Sequence, residues 1–87
     1  MTETEFRNHV AARGGEVLEV SWEANRVPPL HAHDWLALGL VLEGDFTLEA
    51  AGVPTRYGVG EVFELGAGIE HRELSGSAGT RLVVAKL

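Results

Sequence analysis

Glycine sets the grain of this sequence. From residue 36 onward, short apolar and β-prone runs (residues 36–42, 46–50, 55–57, 61–65, 70–74 and 81–87) alternate with gaps that nearly all contain glycine. Gly44-Asp45, Ala51-Gly52, Gly58-Val59-Gly60, Gly66-Ala67-Gly68 and the stretch 76–79 offer backbone angles that other residues resist, so each is expected to reverse the chain. Several short strands at such close turn spacing make a sandwich or a barrel. Upstream, Leu18, Val20 and Trp22 fall on one face and Glu19, Ser21 and Glu23 on the other, the pattern of a half-buried strand. Arg26-Val27-Pro28-Pro29 interrupts it, because proline donates no ladder hydrogen bond. Before all this, Thr2 and Glu5 make a capping box, Phe6 and Val10 stand one turn apart, and Gly14-Gly15 supplies a stop. The expected organisation is one all-β domain over residues 1–87, with a short helix and turn over 1–14 and a β-barrel over 15–87.

Length and charge narrow what such a domain can do. A chain of 87 residues buries only about 60–65% of its unfolded surface, so a bound metal or a second copy would add needed stability. Hydrophobic residues at 45% argue against disorder. The absence of cysteine excludes disulfides, thiolate zinc sites and iron–sulfur clusters, so any metal must bind through nitrogen and oxygen. The net charge of -6, without a cluster of Lys and Arg, argues against nucleic acid or anionic membrane as partners. Residues 1–6 lack the basic start and apolar stretch of a secretory signal, and the longest apolar run, 35–42, is too short to cross a bilayer. The expectation is a soluble cytoplasmic protein. The 11 glycines form no phosphate-binding loop, and no G-x-S-x-G elbow is present.

His31 and His33 are separated by one residue. In an extended segment that spacing puts both imidazoles on the same face, about 6–7 Å apart along the chain. On a helix they would diverge by about 200°. The preceding Pro28-Pro29 favours extension, so the pair is able to chelate. Neutral imidazole suits zinc, iron, nickel, copper and manganese. The alternative is a pair of surface or hydrogen-bonded histidines with no ion.

The surrounding residues carry a resemblance. Residues 29–44, PLHAHDWLALGLVLEG, resemble the first motif of the cupins, and residues 60–75, GEVFELGAGIEHRELS, resemble the second. His71 stands where the second motif has its histidine, and Gly68 where it has its glycine. Gly66 replaces the usual proline, and Ser75 the common asparagine. The resemblance implies a small double-stranded β-helix (jelly-roll) barrel of RmlC-like type, with His31, His33 and His71 as ligands of one divalent transition metal, such as Zn, Fe, Ni or Mn. One departure matters: Ala37 and Leu38 stand where the family places a glutamate ligand, and neither can bind a metal.

That departure leaves either a three-histidine site with open positions or a vestigial cluster hydrogen-bonded in a dry core. Asp34, Glu70 and Glu73 lie close in sequence to the histidines and are read as solvated charges rather than as a fourth ligand or a general base, although Glu73 shares a strand face with His71. His9, on the helix, is a surface histidine. Trp35 faces the same interior as the histidine pair, as a core aromatic or as a wall against a planar ligand. Phe46, Leu48, Phe63 and Leu65 are core or pocket lining. The functions implied are a metal-dependent oxygenase or isomerase of a small molecule, or a non-catalytic binding or sensor module. The chain also resembles the ligand-sensing half of AraC-type regulators without their DNA-binding half. A homodimer is expected, because the barrel has edges that need cover.

Overall fold

The computed structural model describes all of residues 1–87. It comprises one helix, α1 (Glu3–Ala12), and five strands: β1 (Glu16–Trp22), β2 (Ala37–Ala50), β3 (Val53–Tyr57), β4 (Val62–Leu65) and β5 (His71–Lys86). The helix starts where the capping box places it. Thr2 Oγ1 accepts from the Glu5 amide at 3.1 Å, and Glu5 Oε1 accepts from the Thr2 amide at 2.9 Å. Phe6 and Val10 are fully buried, and the helix ends as the Gly15 amide bonds back to the Val10 carbonyl at 3.0 Å.

The frame is the antiparallel pair of β2 and β5, which runs from Ala37↔Lys86 to Ala50↔His71. β1 lies outside the C-terminal part of β5, β4 outside the N-terminal part of β2, and β3 outside the C-terminal part of β2. Thus the two long strands each serve both halves of the sheet, which is the strand economy of a double-stranded β-helix.

Two of the expected reversals are not reversals. Gly44-Asp45 lies inside β2 and residues 76–79 lie inside β5, where the pairing register shifts between Val41 and Glu43 and again between Gly44 and Phe46. These irregularities bend the pair while keeping it paired. They also reset the alternation. Val41 and Phe46 are five residues apart, which in an unbroken strand sends them to opposite faces, yet both belong to one apolar cluster. Gly44 sits at the bend with φ +72°, and a Cβ there would lie 2.1 Å from the Gly79 carbonyl oxygen. Glycine is needed at this position for both reasons.

Two apolar clusters result. Leu38, Leu40, Val83 and Ala85 pack outward under Phe6 and Val10 of α1. Val41, Phe46, Leu48, Phe63, Leu65 and Leu82 fill the interior between the two halves of the sheet. In β1, Val20 and Trp22 line that interior as the alternation requires. Leu18, on the same face, is 66% exposed, because it stands on the outer edge strand at the open end of the barrel.

Candidate metal centre

The two histidine-bearing segments meet by backbone pairing. The chain from Pro28 to His33 lies outside the regular strands, but His31 and His71 form an isolated antiparallel bridge. The His31 amide donates to the His71 carbonyl at 3.0 Å, and the His71 amide to the His31 carbonyl at 2.8 Å. The Gly68 amide holds the His33 carbonyl at 2.7 Å. Extension of this segment, favoured by the two prolines, therefore lays the H-x-H pair beside the first residue of β5.

The three rings converge. Ring centroids are 4.3 Å apart for His31 and His71, 4.7 Å for His33 and His71, and 6.2 Å for His31 and His33. One ring nitrogen from each lies within 4.8 Å of the others. Nitrogens about 2.1 Å from a tetrahedral ion stand about 3.4 Å apart, a contraction that rotation of the imidazoles supplies. His31 Nδ1 is 3.0 Å from the Pro29 carbonyl and His71 Nδ1 is 2.8 Å from the Ile69 carbonyl. In each case the carbonyl accepts from Nδ1–H, and in the neutral ring this leaves Nε2 with its lone pair free, as metal-binding histidines are commonly oriented.

His71 is completely buried, and its Nε2 has no hydrogen-bond partner; His33 Nδ1 is likewise buried and without one. Buried polar atoms left without partners are uncommon, and here two of them belong to one cluster. Burial holds His33 below the ordinary imidazole range, and neighbouring His71 adds to the depression. Two buried ring nitrogens without partners beside a third histidine fit a transition-metal ion.

Glu73 is the residue that sequence reasoning undervalued. It stands two positions beyond His71 on the same face of β5, with its side chain 17% exposed. Its carboxylate oxygens lie 3.2 Å from His71 Nε2 and 3.4 Å from His31 Nε2, the former without hydrogen-bond alignment. The Arg26 guanidinium donates to the Glu73 carbonyl at 3.3 Å and pins that part of the strand. The signal was present in the sequence as His71-Arg72-Glu73, the same one-residue spacing that singles out His31 and His33. Asp34 and Glu70 are exposed, as read, and His9 lies exposed on α1. Of the two residues standing where the family has its glutamate, Ala37 faces the interior and Leu38 is buried under α1.

The cluster borders an open cavity of about 680 Å³ at the mouth of the barrel, walled mainly by Val20, Trp22, Trp35, Phe63, Leu65 and Val84. His33 and Glu73 reach it directly. Trp35 stacks on His33 with centroids 4.2 Å apart and planes within 3°, and Lys86 Nζ lies 4.0 Å from the Trp35 ring centroid. Trp35 is therefore a wall of the cavity and a support for a site residue, beyond a core aromatic.

Comparison with solved structures places the same barrel elsewhere. An RmlC-like cupin from Shewanella frigidimarina matches with a TM-score of 0.74 at 19% identity, over 83% of this chain and 64% of that one. The polyketide cyclase RemF from Streptomyces resistomycificus matches with a TM-score of 0.73 at 27% identity, over 83% of this chain and 53% of that one. An oxalate decarboxylase variant from Bacillus subtilis matches with a TM-score of 0.76 at 12% identity, over 83% of this chain and 20% of that one. The chain spans less than two thirds of the length of each. No curated protein matches it significantly in sequence. No helix is long and apolar enough to cross a membrane. The family model described as the cupin domain matches residues 18–84. On that match, which covers both histidine motifs and all five strands in whole or part, the chain belongs to the cupin family.

Proposed function

We propose that this chain binds one divalent transition metal through His31, His33 and His71 and sets it at the edge of the apolar cavity to meet a small molecule. The observation that carries the reading is the pair of Nδ1 contacts to the Pro29 and Ile69 carbonyls, which leaves two Nε2 lone pairs turned toward a third histidine. Zinc, iron, nickel and manganese all suit such nitrogens; Mn(II) centres are described for the oxalate decarboxylase of Bacillus subtilis. The chemistry a bound ion supplies here is Lewis-acid polarisation of an oxygen-bearing ligand. The protein's own part is to wall the site with Trp22, Trp35 and Phe63 and, by burial, to hold His33 below the ordinary imidazole range, which favours the neutral ring a metal needs.

The test is metal analysis of protein purified without a nickel column. Close to one equivalent per chain is expected, either as isolated or after incubation with zinc, iron or manganese. His71→Ala should abolish it. A negligible fraction of an equivalent under all these conditions overturns the reading. Chelator-sensitive turnover of a small oxygenated substrate marks an oxygenase or isomerase, whereas saturable binding without product marks a sensor or binding module. The same proposal includes a cytoplasmic homodimer, favoured by Leu18 on the unpaired edge of β1. Sedimentation at micromolar concentration checks the dimer, and a monomer alone would refute it.

A further inference from the structure

The missing glutamate of the first motif leaves the three histidines without a carboxylate from β2, because Ala37 is the residue that faces the interior there. A carboxylate nevertheless reaches the cluster, from another strand. We infer that Glu73 is the fourth protein ligand of the metal, supplied from β5 two residues beyond His71. This rests on the reading of the three histidines as a metal site.

Distances carry the argument. A nitrogen and an oxygen each about 2.1 Å from one ion stand about 3.0 Å apart at a right angle and about 3.4 Å apart at the tetrahedral angle. The Glu73 oxygens lie 3.2 Å from His71 Nε2 and 3.4 Å from His31 Nε2, within that span on both sides. The 3.2 Å contact also lacks the alignment of a hydrogen bond, so the carboxylate is not placed there as an acceptor for His71. The carboxylate oxygens and the two Nε2 atoms thus stand at the separations that ligands of one metal ion keep.

The side chain is also held for the task. Glu73 sits on the paired part of β5, opposite Leu48 of β2, and Arg26 grips its carbonyl from the other side. No guanidinium or ammonium takes the carboxylate: Arg72, its neighbour, pairs instead with Glu49, and Arg26 reaches Glu73 only at its backbone carbonyl while its guanidinium lies over the Trp22 ring. In a chain where Arg7, Arg56, Arg72 and Arg81 each find an acid, the half-buried Glu73 has only histidines beside it. The strand geometry behind this is simple. In β5 the side chains of residues 71 and 73 share a face, as those of 31 and 33 do in the facing extended segment, so two H-x-acceptor pairs oppose each other across the His31↔His71 bridge.

The experiment uses Co(II) as the probe, because its visible absorption reports the ligand set directly. Wild type, Glu73→Ala, Glu73→Gln, Glu70→Gln and His71→Ala are titrated with Co(II) in competition with a chelator, with circular dichroism as the check on folding. The expected result is that Glu73→Ala and Glu73→Gln both fold, bind Co(II) at least about 100-fold more weakly than wild type, and shift its absorption band. Glu70→Gln should match wild type in both respects. A band in Glu73→Ala identical in position and intensity to that of wild type overturns the Glu73 assignment, whatever happens to affinity, while loss of the band in His71→Ala upholds the three-histidine reading independently of Glu73. Absence of any Co(II) band in wild type overturns both readings. Should Glu73→Ala fail to fold, Glu73→Gln, which keeps the size of the side chain, decides by the same band.

Discussion

At the scale of single residues, the alternation rule of extended chain was the most informative reading. It put His31 and His33 on one face, and the three histidines meet with ring centroids no more than 6.2 Å apart. The same rule applied to His71 and Glu73, but a carboxylate two positions from a histidine looks like any solvated strand charge until the facing chain is known. That facing chain is an isolated bridge to His31, which no local pattern announces. Gly39 makes a complementary point. Within a sequence full of glycine it reads as nothing special in an apolar run, yet a Cβ there would lie 2.1 Å from the Phe63 ring carbon Cε1 on the neighbouring strand. Gly39→Ala should therefore destabilise by about 1–3 kcal/mol through overpacking beside the cavity. Denaturant unfolding measures this, and a neutral result would show that Phe63 can rotate away without loss.

At the scale of elements, the helix and most strand segments were legible, and the bends were not. A glycine with positive φ serves a reversing turn and a strand irregularity equally well, so Gly44 and Gly79 could not reveal which they are. Only the partner across the sheet decides, and here β2 and β5 are paired on either side of the irregularity, at Gly44↔Thr80 and Phe46↔Ser75. Gly44→Ala confronts a left-handed backbone and the Gly79 carbonyl together, so a loss of about 2–4 kcal/mol is expected. A cost under about 1 kcal/mol would mean the bend is more pliable than its geometry implies. The helix is held by burial more than by its cap. Phe6→Ala should cost about 3–5 kcal/mol, whereas Thr2→Ala, which removes the capping oxygen, should cost about 1 kcal/mol. Thermal melts of the two variants rank them, and the reverse order would place the helix outside the cooperative unit.

At the scale of the whole molecule, the packing is divided between two sides of one sheet. The cluster under α1 and the barrel interior touch different faces of β2 and β5, and only the second borders the histidines. Charge and size were therefore good guides to class, but the partition that makes one side a closed core and the other an open cavity depends on long-range pairing. A chain of 87 residues has about 4–13 kcal/mol of stability to work with. Saturation to a hundredfold excess over Kd adds about 2.7 kcal/mol, which in a domain of this size raises Tm by about 10–20 °C. Metal removal by a chelator should reverse that shift, and His71→Ala should be insensitive to chelator. An equal melting temperature with and without metal would mean that the folded chain binds no ion in preference to the unfolded one. The His31↔His71 bridge has a further consequence, for rates. Its two partners flank almost the whole of β2, β3 and β4, so the donors come together only after a loop of some forty residues has closed and its strands have paired. An ion captured that late stabilises the finished barrel but little of what precedes it. Metal should slow unfolding while leaving the refolding rate nearly unchanged.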